Sequence, residues 1–72
     1  MGEPALVLKK NREKPISQGH PWIFSGAIER LEGEPFAGET VLVKDQKENL
    51  LGRAAYSPFS QIRARMWSWD AE

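Results

Sequence analysis

The chain has no cysteine, a single histidine and only two aspartates in 72 residues. Without cysteine it can form no disulfide, no thiolate metal site and no thiol nucleophile. That agrees with a reducing compartment, and the cytoplasm is the expected location. His20 has neither a Cys nor a second His with which to ligate a metal. Asp45 lies by a turn and Asp70 at the chain end, so no Ser-His-Asp arrangement presents itself. Gly19 and Gly26 stand too far apart for a phosphate-cradling loop, and no P-loop lysine follows them. Catalysis by this chain alone is therefore not expected. No apolar run is long enough to span a membrane. The Met-Gly-Glu-Pro start lacks the basic region and apolar stretch of a signal peptide. Net charge is zero, which argues against a strongly basic, nonspecific nucleic-acid binder.

What is present suits one small strand-rich domain. A chain of this length buries only about 60% of the surface that its unfolded form exposes. Its three Trp, three Phe and one Tyr are then expected to lie largely inside or against a neighbouring domain. Charge is unevenly placed. Residues 9–14 carry Lys9, Lys10, Arg12 and Lys14 against Glu13, and residues 53–65 carry Arg53, Arg63 and Arg65 with no acid. Residues 29–39 are acidic, with Glu29, Glu32, Glu34 and Glu39 against Arg30. If the two basic segments meet in the fold they form a positive face. Otherwise they are ordinary solvated charge.

Ala5-Leu6-Val7-Leu8 reads as a first strand. Asn11 is the expected N-cap of a short helix over about residues 12–18, with Pro15 confined to its first turn and Gly19 as its stop. The stretch from His20 to Gly26 is expected to pack under a sheet, and 27–31 to continue as a strand. Glu32 to Pro35 reads as a loop. Alternation over 39–45 predicts a strand, 46–49 a hairpin turn with Asn49 left-handed, and 50–56 the return strand. The last strand spans 61–69, with Ile62, Ala64 and Met66 on one face and Arg63, Arg65, Trp67 and Trp69 on the other. About five strands and one helix predict a mainly β, α+β domain, a small curled sheet or partly closed barrel with the helix on its edge.

Leu8-Lys9-Lys10-Asn11-Arg12-Glu13-Lys14 followed by His20-Pro21-Trp22-Ile23-Phe24-Ser25-Gly26-Ala27-Ile28 resembles the opening of a group of bacterial and archaeal rRNA methyltransferases. Val43-x-Asp45, Leu51-Gly52-Arg53-Ala54-x-Tyr56-Ser57-Pro58 and Ser60-x-Ile62-x-x-Arg65 are similar to its continuation. The likeness covers about residues 6–69. The turn at 46–49 departs from it, lacking the glycine of an Asp-x-x-Gly hairpin. The resemblance implies an N-terminal PUA domain, a compact barrel-like module that contacts structured RNA. It also implies a following catalytic domain of Rossmann type that binds S-adenosylmethionine and methylates cytosine C5 in large-subunit rRNA. That chemistry needs a cysteine nucleophile, absent here. The chain is accordingly expected to be an N-terminal piece of a longer protein, and its end at Asp70-Ala71-Glu72, straight after a strand, suits that. The resemblance leaves room for a homodimeric parent.

On this basis the candidate RNA contacts are Arg12, Lys14, His20, Trp22, Ser25, Gly26, Arg53 and Arg65. Arg12 and Lys14 would meet phosphates. His20 either contacts a base or fixes the turn beside Pro21. Trp22 and Phe24 are stacking platforms or core, with Phe24 assigned to the core. Ser25 and Gly26 admit a close RNA backbone, form a tight turn, or do both. Arg53 and Arg65 reach phosphates or bases, or pair with acids across strands. An alternative function is docking, interdomain or protein–protein, through Trp67 and Trp69 without direct RNA contact.

Overall fold

The computed structural model describes residues 3–69. Met1, Gly2 and residues 70–72, on which the expectations about the chain's two ends rest, lie outside the described residues. Six strands form one sheet: β1 (Ala5–Leu8), β2 (Trp22–Phe24), β3 (Ile28–Glu32), β4 (Thr40–Lys44), β5 (Leu50–Tyr56) and β6 (Ile62–Ser68). Their order is β2-β6-β5-β4-β1-β3, antiparallel throughout except for the parallel pair β1–β4.

Chain connectivity forces this sheet to curl. Strands β2 and β3 are its two edges, yet only a 3-10 turn, Ser25–Ala27, separates them. Laid flat at about 4.8 Å per strand, the edges would stand roughly 24 Å apart. The four links from Phe24 to Ile28 reach at most about 14 Å. The edges must therefore approach each other, which gives a partly closed barrel, mainly β with one short helix.

Inside the curl, alternate residues of each strand meet. Leu6, Leu8, Ile23, Val41, Val43, Ala54, Tyr56, Ala64 and Met66 form one buried cluster, joined by Ile16 from the helix. Each large side chain buried there contributes roughly 1.5–3 kcal/mol relative to exposure. Strand β1 is buried on both faces, so its four residues read as a continuous apolar run. On its outer face Val7 lies in register between Arg30 and Lys44, and Glu32 and Glu48 bridge those two cations at 2.8–3.7 Å.

The helix, α1, is Glu13–Ser17. Its stop is a Schellman turn: the His20 N–H donates to the Pro15 carbonyl at 2.9 Å and the Gly19 N–H to the Ile16 carbonyl at 3.0 Å. Gly19 has φ +99°, the left-handed geometry that such a turn demands. The start differs from expectation. Arg12 is the N-cap and makes no side-chain cap bond, while Asn11 adopts φ 71° in the turn before it. Asn tolerates that region because its short amide suits local bonding.

The β4–β5 hairpin also differs in detail. Glu48, not Asn49, is left-handed, at φ 68°. Asp45 organises the turn instead of a glycine. Its Oδ1 accepts the N–H groups of Lys47 and Asn49, each at 2.9 Å, and its Oδ2 accepts the Asn49 amide at 3.0 Å. The Asn49 side-chain bond, then the backbone bonds, hold the Asp45 carboxyl below the usual carboxylate range.

Strand β6 carries a bulge. Met66 faces Ala54 and Ser68 faces Arg53, so Trp67 is an extra residue with no partner. Beyond the bulge the alternation is inverted. Trp69 leaves the face of Arg63 and Arg65, correcting the regular-strand expectation, and its indole N–H donates to the Ile16 carbonyl at 2.6 Å. Gly52 makes the bulge possible, because a Cβ there would lie 2.1 Å from the Ser68 carbonyl oxygen. No helix among the described residues is long and apolar enough to cross a membrane.

Candidate nucleic-acid interface

Strand β2 is a three-residue edge strand, and alternation gives its residues opposite fates. Ile23 points into the core at 1% exposure, while Trp22 and Phe24 are 43% and 48% exposed. The stretch is expected to pack beneath the sheet, with Phe24 in the core and Trp22 open between stacking platform and core. The structure corrects this: a sheet edge has no neighbouring strand or layer to cover its outward residues. The rings form a ladder with His20. His20 and Trp22 lie 6.1 Å apart, and Trp22 and Phe24 6.4 Å, each pair edge to face at 84°. His20 Nδ1 accepts the Trp22 backbone N–H at 3.3 Å. The ring thus both fixes the turn and stands exposed beside the tryptophan.

Between α1 and this strand runs a groove of about 280 Å³. Leu8, Ile16, Ile23 and Ala27 supply apolar lining, and Arg12, His20, Trp22 and Phe24 complete its wall. It is the gap left where the barrel fails to close. Helical spacing puts Arg12 four residues before buried Ile16 and so on the groove side. Lys14, two residues before Ile16, projects from the opposite side into solvent. The two cations of the helix are therefore not interchangeable.

Arg65 lies directly across from Trp22, and on its other side faces Ala55. It is exposed on the outer surface. Arg53 shares that outer surface one strand further on, between Leu42 and Ser68, and is half-buried. Arg63 is committed to its own loop, donating to the Ser60 carbonyl at 3.0 Å. Ser25 and Gly26 form the exposed turn joining the two sheet edges, with the Ser25 N–H bonded to the Gln61 carbonyl. A Cβ on Gly26 would meet nothing within 4 Å, so the fold itself does not require glycine there. Arg12, His20 and Trp22 thus come together at the groove, with Arg65 and the Ser25-Gly26 turn alongside. Lys14 and Arg53 stand apart.

Among the described residues the ion pairs are confined to Arg30 and Lys44 with Glu32 and Glu48, on the outer face of β3, β1 and the β4–β5 turn. Among the described residues Arg65 has no cross-strand acid partner of the kind considered for it. No group of three or more His, Asp or Glu that could hold a metal occurs among the described residues.

The family model for PUA-like domains matches residues 6–69, the whole barrel and its groove. The chain belongs to the PUA-like domain family. This PUA-like domain is 55% identical over 67 residues to the Ribosomal RNA large subunit methyltransferase I of Erwinia tasmaniensis. It is 54% identical to the proteins of that name from Klebsiella pneumoniae and Salmonella arizonae. In each case the match covers 93% of this chain and 17% of the relative. The PUA-like domain thus spans about a sixth of the length of these relatives.

Sequence reasoning missed the groove itself. Leu8, Pro15 and Ala27 line it, and nothing in their types or spacing marks them as anything but packing residues. For Phe24 a signal existed: Trp22 and Phe24 flank Ile23 at a period of two, so one face of that short strand had to point away from the core.

Proposed function

We propose that this PUA-like domain binds RNA through the face built by α1, β2 and the adjoining part of β6. In this reading it places a S-adenosylmethionine-dependent rRNA (cytosine-C5) methyltransferase on large-subunit rRNA, the catalytic domain following it in a longer, cytoplasmic protein. One observation carries the proposal. Arg12 and Arg65 make no ion pair among the described residues and flank the exposed aromatic rings, whereas Arg30 and Lys44 are neutralised by Glu32 and Glu48. Unpaired cations serve phosphates, and exposed rings serve unpaired bases. The names of the relatives supply the RNA class.

Arg12 and Arg65 take phosphates on either side of the aromatic ladder, and Lys14 adds a contact at its edge. Ser25 and Gly26 admit the RNA backbone, and Arg53 extends the surface across β5. The test is RNA affinity across a salt series. Arg12→Ala with Lys14→Ala should reduce the slope of log K against log salt by roughly one unit per lost phosphate contact. An unchanged slope removes both residues from the interface.

A second reading, docking to protein, has its own observation. Phe36 and Phe59 are 73% and 95% exposed, and their loops both adjoin Tyr56 at one end of the barrel. The two tryptophans first considered for docking both keep exposed surface, and Trp69 is also tied to α1.

A further inference from the structure

We propose that the groove between α1 and β2 receives a single unstacked base of the bound RNA, stacked against Trp22 or Phe24. The inference rests on the RNA-binding function proposed above and names the RNA feature that this site takes.

Size is the first argument. Ligand pockets commonly enclose roughly 300–1,000 Å³, and this one, at about 280 Å³, lies just under that range. It has room for one planar ring system and none for a duplex. Its chemistry is the second. The lining is aromatic and aliphatic with one cation, Arg12, and no acid. A base offers an apolar face to stack, and its phosphate is attached to it. Trp22 and Phe24 stand at right angles, so one ring can present its face while the other closes the side. Arg65 beside Trp22 is placed for the next phosphate.

The strand's backbone is the third argument. The Pro21 carbonyl accepts from the Met66 N–H, and the Ser25 N–H donates to the Gln61 carbonyl. Those residues turn their backbone groups toward β6. By strand alternation Trp22 and Phe24 turn theirs to the open edge, where the groove lies. His20 Nδ1 takes the Trp22 N–H. On that edge β2 has no partner strand among the described residues, so the Trp22 carbonyl and the Phe24 N–H and carbonyl are placed to read the edge of an inserted base. A peptide strand is a poorer occupant of this edge. It is only three residues long, bounded by Pro21 on one side and the 3-10 turn on the other, and short edges resist strand addition.

Two RNA hairpins test this, identical except that one carries a single unpaired 2-aminopurine in its stem. The wild-type chain should bind the bulged hairpin about 5- to 150-fold more tightly, the range expected for one base–aromatic stack. The 2-aminopurine emission should be quenched on binding. Trp22→Ala and Phe24→Ala should abolish or sharply reduce that preference. Ala27→Leu, which fills the groove and removes no ring or charge, should do the same. Thermal melts establish that each variant is folded. Equal, salt-sensitive binding of both hairpins by wild type would overturn the base pocket and leave the RNA-binding function standing. A preference that survives Ala27→Leu in a folded variant would also overturn it. Failure to bind either hairpin at low salt would overturn both.

Discussion

Gly52→Ala is the sharpest probe of how this barrel is closed. The added methyl would sit 2.1 Å from the Ser68 carbonyl oxygen, 2.7 Å from the Met66 methyl carbon and 3.0 Å from the Trp69 Cα. The Met66 side chain can swing aside, but the other two atoms are backbone. Strand β6 would have to retreat by about an ångström at the bulge, pulling Trp69 with it. Overpacking of this kind costs about 1–3 kcal/mol. Gly52 also has φ +152°, a conformation that costs a side-chain-bearing residue about 1–3 kcal/mol more. Together that is about 2–6 kcal/mol. A 72-residue domain is expected to have only about 4–11 kcal/mol in total. Each kcal/mol shifts Tm by about 4–8 °C in a domain this small. Thermal unfolding followed by circular dichroism should therefore show Tm lower by at least about 8 °C. Gly26→Ala is the control. Its Cβ meets nothing within 4 Å, and Tm should move by no more than a few degrees. A Gly52→Ala protein melting within two or three degrees of wild type, about the size of a neutral surface substitution, would refute the close approach of β5 to β6.

Two other perturbations probe the supports of the site. Trp69→Phe keeps an aromatic side chain but removes the indole N–H donor from the Ile16 carbonyl, which keeps its bond from the Gly19 N–H. Stability measured by urea unfolding should fall by about 1 kcal/mol, the usual net worth of one hydrogen bond. No change would show that this bond does not anchor α1. Asp45 bears on acid stability. Its carboxyl titrates below the ordinary range in the folded chain, chiefly through the Asn49 side chain. Its contribution is therefore present above the unfolded-state value of about 3.9 and is lost as pH falls through the folded value. Asp45→Ala should be the less stable protein at pH 7, and the gap to wild type should close in melts taken below about pH 4. A gap independent of pH would remove the charge from the account.

Several elements were legible in the residues alone. Alternation over Val41 and Val43 marked β4 to within a residue, and the polar turn after it placed the return strand β5 over 50–56. Gly19 announced the end of α1 because its left-handed turn suits little else. Asn11 and Asn49 misled for one reason. Both can adopt positive φ or cap a helix, and the local pattern does not say which neighbour takes the left-handed place. At the hairpin it fell to Glu48, since Asp45 had already drawn in the N–H groups of Lys47 and Asn49.

The sequence by itself determined the mainly β character, the short helix, the absence of thiol chemistry and, through the His-Pro-Trp-x-Phe-Ser-Gly run, the expected family. Which aromatics face solvent was decided only by the tertiary structure. A period of two says that Trp22 and Phe24 oppose Ile23, but which side is covered depends on strands forty residues away. Short linkage between the two sheet edges bends the sheet and leaves a gap beside α1, so β2 keeps an open edge. The same holds for Trp69. One extra residue at Trp67, accommodated because Gly52 has no side chain, turns it from the arginine face onto the helix. Packing against distant backbone set these orientations, and no local propensity encodes them.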